Sequence, residues 1–259
     1  MPPQGLEAGV EPIVTGAAVF ACLFGMGLLG LRLRAVLPQH HLSAETKDSV
    51  RVAMGLVATM AALVLGLLVA AAKGTYDVER TELTAGVANI KYLDGVLEDY
   101  GPEAQPVREL LRRAVAQAVT RIWPSENAHA PLDPSPLWAR KIPRAIQQLS
   151  PQTDLQRQLK SEATELSVEL GRMRALLSEQ TRTAIPSAIM IIVVVWMATI
   201  FLSLGIFAPS NATTIVSMAS AALSVACAIF LILELSHPFS GIVRISSEPF
   251  RNALGQLAP

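Results

Sequence analysis

The chain has 259 residues, with 21 basic and 21 acidic side chains, so its formal net charge is zero. Without a surplus of positive charge to displace phosphate counterions, a nucleic-acid partner is excluded. Hydrophobic residues reach 51%, charged residues only 16%, and the mean hydropathy is +0.42, which points to a membrane protein and excludes a disordered chain.

Charge is missing in blocks. Ile13–Leu31, Val52–Ala72, Ala184–Ala208 and Ala212–Leu233 contain no Asp, Glu, Lys or Arg. Each is close to the roughly 20 residues that a helix needs to cross hydrocarbon about 30 Å thick. Four transmembrane helices are therefore expected, in an all-α membrane protein. The first block does not read as a secretory signal, because residues 1–12 hold no Lys or Arg and Arg32 and Arg34 follow the apolar run. Both Cys, Cys22 and Cys227, fall in these blocks, where small packing residues are the expected role and no disulfide framework is implied.

Between the second and third blocks the composition reverses: residues 73–183 hold 15 basic and 15 acidic side chains. Tyr76, Leu83, Val87, Ile90 and Leu97 recur at helical spacing, and Gly101-Pro102 ends that run. Val107, Leu110, Leu111, Ala114, Val115, Ala118, Val119 and Ile122 form a second apolar face. Pro124, Pro131, Pro134 and Pro136 break the pattern. A short helix is expected over 137–149, and Ser150-Pro151 is expected to start a last helix bearing Leu155, Leu159, Ala163, Leu166, Leu170, Met173 and Leu177. Pro186 should kink the chain as it enters the third span.

The expected division is a transmembrane hairpin over 1–72, with spans 13–31 and 52–72, and a soluble helical stalk over 73–183 with a Pro-rich loop at 124–136. A second hairpin covers 184–236, with spans 184–208 and 212–235, and a C-terminal turn and short amphipathic helix cover 237–259. The stalk closes as an antiparallel bundle inserted between helices two and three. In the tail, Ser247 reads as an N-cap, and Phe250, Leu254 and Leu257 share one face. That face suits the membrane surface or the stalk base.

Chemistry is sparse. No Gly-rich phosphate loop, H-E-x-x-H, G-x-S-x-G or paired-Cys motif occurs, so no enzyme activity and no cofactor are expected. His40 and His41, with Glu45 and Asp48 nearby, are weak metal candidates; a polar turn between two spans explains them better. Ala17, Ala21 and Gly25, and Ala58, Ala62, Gly66 and Ala70, form small-residue ridges at spacing four that suit packing within one protomer or between protomers. The fourth helix carries Thr213, Ser217, Ser220, Ser224 and Cys227 at steps of four and three, and Glu234 continues the stripe. Hydroxyls in membrane helices often bond only their own backbone. The other reading is an interior or water-lined path, and an ionisable Glu234 at the edge of hydrocarbon is expected to be paired or functional.

Four segments carry a resemblance: Arg34-Ala-Val-Leu-Pro-Gln-His-His-Leu42, Gly101-Pro102-Glu103, Phe207-Ala-Pro-Ser-Asn-Ala-Thr213 and Leu231-Ile-Leu-Glu-Leu-Ser-His-Pro-Phe-Ser-Gly241. Together they resemble a widespread family of bacterial membrane proteins labelled bestrophin-like. The resemblance covers nearly the whole chain. It implies a homo-oligomeric anion channel with a long helical insertion between the second and third of four membrane helices. Two departures stand out. Val52–Ala72 has no Phe, Tyr or Trp to form an aromatic neck, and Ser236 and His237 stand where many members have an acid and a base. The alternative is a non-conducting sensor or scaffold acting through its stalk.

Four crossings place both termini and the stalk on one side of the bacterial cytoplasmic membrane. The short 32–51 loop holds Arg32, Arg34, Lys47 and Arg51, and the positive-inside rule weighs short loops most, which puts the stalk outside. Lys73, Arg80, Arg172, Arg174, Arg182, Arg244 and Arg251 argue the other way.

Overall fold

The computed structural model describes residues 4–38, 43–123, 137–180, 187–239 and 241–257, and every regular element among them is helical. In chain order they are α1 (Gln4–Val36), α2 (Ala44–Tyr100), a 3₁₀ turn (Pro102–Ala104), α3 (Gln105–Ile122), α4 (Leu137–Gln147), α5 (Asp154–Gln180), α6 (Ser187–Phe207), α7 (Ala212–Leu235) and α8 (Glu248–Gln256). Four of these, α1, α2, α6 and α7, contain stretches long and apolar enough to cross a membrane. Gly74 does not interrupt α2, which runs on from its charge-free stretch as a single helix. The expected kink at Pro186 and the loop at 124–136 lie outside the described residues.

The chain divides into two compact units. The first comprises Met1–Tyr76 and Ala184–Val243, the second Asp77–Thr183 and Arg244–Pro259. In the first unit, Leu23, Ala61, Val193, Ala222, Ile229 and Ile232 are wholly buried and belong to one cluster. Leu56, Leu63, Leu67, Ile191, Val195, Val216 and Leu223 point outward, as suits helices solvated by acyl chains rather than by water.

Helix α1 packs against α6 and α7, and glycine sets how close it comes. A Cβ on Gly205 would lie 2.9 Å from Gly30 Cα and closer still to Gly27 O; one on Gly30 would lie 2.9 Å from Gly205 Cα. The two backbones therefore touch. The small residues that permit this are Gly27, Gly30 and Gly205, whereas Ala17, Ala21 and Gly25 are exposed. On α2, Ala62, Gly66 and Ala70 are also exposed, and Ala58 is half-buried.

The ends of α6 and α7 are closed by side chains. Arg34 Nη1 donates to Ala208 O just beyond the end of α6. Asn211 Oδ1 accepts from Thr214 N at 2.8 Å, capping α7 after a three-residue turn.

In the second unit, Leu93, Ala104, Trp123, Ile146 and Ala253 have no exposed surface. Tyr92 Oη donates to Glu162, Gln156 Nε2 donates to Tyr100 O, and a Cβ on Gly86 would meet Met173 Sδ. As α2 numbers rise, their α5 neighbours fall, so the two helices run antiparallel. Lys160 Nζ donates to Gln147 O and Leu149 O, covering carbonyls at the end of α4.

One boundary and one cap differ from the sequence reading. Helix α5 starts at Asp154, not at Ser150-Pro151. Thr153 Oγ1 accepts from Gln156 N, and Gln156 Oε1 accepts from Gln152 N. This T-x-x-Q capping arrangement satisfies donors that Ser150 is too far upstream to reach. The late start leaves Leu155 in the first turn, 62% exposed, while Ala163 and Leu166 are buried. In the tail, Ser247 sits at the N-cap position but makes no side-chain cap; Ser246 Oγ accepts from Glu248 N instead. Helix α8 packs on α3, and its buried face is Phe250, Ala253 and Leu257, with Leu254 half-buried.

The glycine contact makes a direct prediction. Gly205→Ala should destabilise the protein by on the order of 1–3 kcal/mol, because rigid backbone has to move aside. Gly74→Ala, with nothing within 4 Å of its Cβ, should leave stability unchanged or raise it. Thermal melts of the two variants in one detergent provide the comparison.

Candidate functional site

Helix α7 has two opposed faces. Met218, Ala222, Ala226, Ile229 and Ile232 are buried. Thr213, Ser217, Ser220, Ser224 and Cys227 are all exposed, on a strip roughly opposite in helical projection. Ser224 Oγ donates to Ser220 O at 3.0 Å, which satisfies one hydroxyl locally. The hydroxyls of Thr213, Ser217 and Ser220 have no hydrogen-bond partner among the described residues. The five polar residues thus make one continuous strip along the outside of a single protomer.

Glu234 does not join them at the surface, since it is 1% exposed. After α7 ends, His237 N donates to Glu234 O at 3.2 Å and the chain turns back. Glu234 Oε1 then accepts from Ile242 N and, at 2.8 Å, from Val243 N. The turn depends on Gly241, whose φ is +88°, a region that L side chains rarely adopt. A Cβ there would lie 2.8 Å from Glu234 Cδ. The carboxylate is therefore gripped by the chain's own backbone. Its second oxygen, Oε2, is buried without a hydrogen bond among the described residues, a cost typically of about 1–3 kcal/mol.

Sequence reading missed two buried acids in the second unit. Glu79 is 3% and Asp94 7% exposed. Asp94 is paired: Arg108 Nε and Nη2 donate to its two oxygens, each at 2.9 Å. Glu79 Oε2 has no partner among the described residues. A signal was present. The apolar series on α2 skips from Tyr76 to Leu83 and from Ile90 to Leu97, and Glu79 and Asp94 occupy the skipped position in each gap. The charge-free part of α2 ends at Ala72, so Glu79 lies beyond the span. Burial raises its pKa above the ordinary carboxylate value, and the nearby Glu82 raises it further.

Among the described residues, no group of three or more His, Cys, Asp or Glu could hold a metal ion. His40 and His41 lie outside the described residues. His237 Nδ1 lies 2.9 Å from Leu233 O on an exposed ring.

Among known proteins, a family model described as "Bestrophin-like domain" matches residues 19–250. No curated protein and no solved structure matches the chain significantly. The match spans most of the sequence, and the chain belongs to the bestrophin-like family.

The environment of Glu79 sets a pH-dependent outcome. A raised pKa means that the folded state holds its proton more tightly than the unfolded chain does, so this group's contribution is present in acid and lost as pH rises through the raised pKa. Glu79→Gln cannot ionise. It should melt higher than the parent at neutral pH, and the difference should vanish as pH falls below the ordinary Glu value of about 4.3. Paired melts across that range test it.

Proposed function

We propose that this membrane protein of the bestrophin-like family is a homo-oligomeric ion channel, with the α7 strip of Thr213, Ser217, Ser220, Ser224 and Cys227 turned toward the interior of the assembly. The carrying observation is the outward orientation of that strip, opposite the α7 core face. Hydrocarbon offers its hydroxyls no partner, whereas neighbouring copies, or water held between them, do. The exposed ridges at Ala17, Ala21 and Gly25 and at Ala62, Gly66 and Ala70 supply surfaces on which copies approach closely. Glu234 stands apart in this reading. Its carboxyl group is buried and engaged by backbone donors, so the strip presented to ions is hydroxyl-lined. The resemblance favours anions as the permeant class, and the family is known for channels rather than enzymes.

A second reading has support in the same helices. Ser224 bonds its own backbone, and Val52–Ala72 holds no aromatic residue to form a constriction. On this reading the assembly conducts nothing and acts as a scaffold through its second unit, set outside the bilayer as a helical stalk.

One variant separates the two. Because Ser220 is exposed on the protomer, Ser220→Leu should leave protomer stability nearly unchanged. In a channel it should narrow and dry the path and abolish most anion flux in liposomes, with the oligomer retained. Wild-type protein without flux, or a variant with undiminished flux, leaves the scaffold reading.

Orientation is proposed with the 32–51 loop in the cytoplasm and the second unit outside, on the weight of the four bases in that short loop. Protease added to intact spheroplasts should then cut within 124–136. Protection of that segment would reverse the orientation.

A further inference from the structure

The boundary between the two units falls between Val243 and Arg244. On one side of it, Val243 N and Ile242 N are held by the Glu234 carboxylate at the end of α7. On the other, Ile245 O accepts from Trp123 Nε1 at 2.8 Å. Each bond lies wholly within its own unit. The two anchors are two residues apart, and two residues span at most about 7 Å of backbone. That leaves no length for a slack linker.

Both anchors are built to hold. Trp123 has no exposed surface, and its ring packs against Phe250 of α8 at 5.6 Å between centroids. Ile245, Phe250, Ala253 and Leu257 are buried, so the chain stays seated on the second unit from Ile245 through α8. On the membrane side, Glu234 is buried and the turn is shaped by Gly241 at positive φ. Among the described residues the grip uses one carboxylate oxygen, and Oε2 has no hydrogen bond there. The membrane-side anchor is thus the less fully satisfied of the two.

We propose that residues 241–245 are a tension strap, through which a displacement of α3 and α8 in the second unit is delivered to the C-terminal end of α7. The strap ends on the helix that carries the exposed polar strip. It works whether that strip conducts or packs, because it concerns transmission along the chain and not flux. Coupling of this kind requires evidence of reciprocity, not mere adjacency.

Amide hydrogen exchange on the full-length protein in detergent supplies that evidence. Trp123→Phe keeps an aromatic ring against Phe250 and removes the N–H that holds Ile245 together with part of the buried ring. It should speed exchange at Ile242 and Val243 severalfold, although their acceptor Glu234 is untouched. Glu234→Gln exchanges the carboxyl group that accepts from Ile242 N and Val243 N for an amide. It should speed exchange across α8 severalfold, although Trp123 is untouched. Peptides around Leu23 in α1 should keep the wild-type rate in both. If each substitution speeds exchange only on its own side of the unit boundary, nothing is transmitted and the proposal is wrong. If faster exchange at Leu23 shows that one variant has lost its fold, the other decides by the same criterion. Flux is not read, so failure here leaves the channel proposal standing and failure there leaves this one.

Discussion

Hydrocarbon supplies no hydrogen-bond partner, and most of the first unit follows from that constraint. A backbone crossing it has to satisfy every N–H and C=O internally, which a single chain segment achieves only as a helix. The problem then moves to the helix ends, where carbonyls and amides lose their partners. Among the described residues several side chains meet it. Arg34 donates to Ala208 O past the end of α6, Asn211 accepts from Thr214 N at the start of α7, and Glu234 accepts from Ile242 N and Val243 N where the chain turns back. The same constraint explains why close packing replaces hydrophobic exclusion between the helices. Acyl chains are as apolar as leucine, so α1 and α6 gain from close contact, and Gly30 and Gly205 let their backbones touch.

The second unit carries most of the chain's charge. Its apolar faces are hidden by antiparallel helix packing, and its polar groups are handled pair by pair. Asp94 is acceptable in a buried position because Arg108 meets it with two parallel hydrogen bonds. Glu79 has no such partner among the described residues, and so it resists ionisation. A buried acid kept from its charge is a place where a protein stores sensitivity to its surroundings, while a paired one is held in register. The contrast between two acids on one helix shows that position on the apolar stripe alone does not decide the role.

The exposed polar strip on α7 reverses the usual relation between a helix and its core. In one protomer the polar residues face outward and the apolar ones inward, as in a water-soluble protein, yet this helix is apolar enough to cross a membrane. Assembly, as proposed above, would resolve that conflict by turning an outer face into an inner one. Glu234, read from spacing as the last member of the strip, belongs to another task. It binds the returning chain, and with Trp123 it fixes both ends of a very short passage between the units.

What the sequence determined by itself was everything carried by local periodicity and by the absence of charge. Four charge-free stretches of about 20 residues announce four spans, because the cost of a charge in hydrocarbon is paid residue by residue. The apolar stripes on α2, α3 and α5 announce helices with one hidden face, and even Glu79 and Asp94 were visible as breaks in the α2 stripe. Tertiary structure decided whatever depends on residues far apart in the chain. Which small residues bring helices together could not be read from spacing, since the ridge at Ala17, Ala21 and Gly25 looks as suitable as Gly27 and Gly30; Gly205, from another helix, selects between them. The fate of Glu234 hinged on a turn at Gly241 that brings two amides to its carboxylate, and the seat of α8 on Trp123, 122 residues from Ile245 along the chain. Periodicity reports which face of a helix is hidden, but the partner that hides it is set by how the packed helices meet.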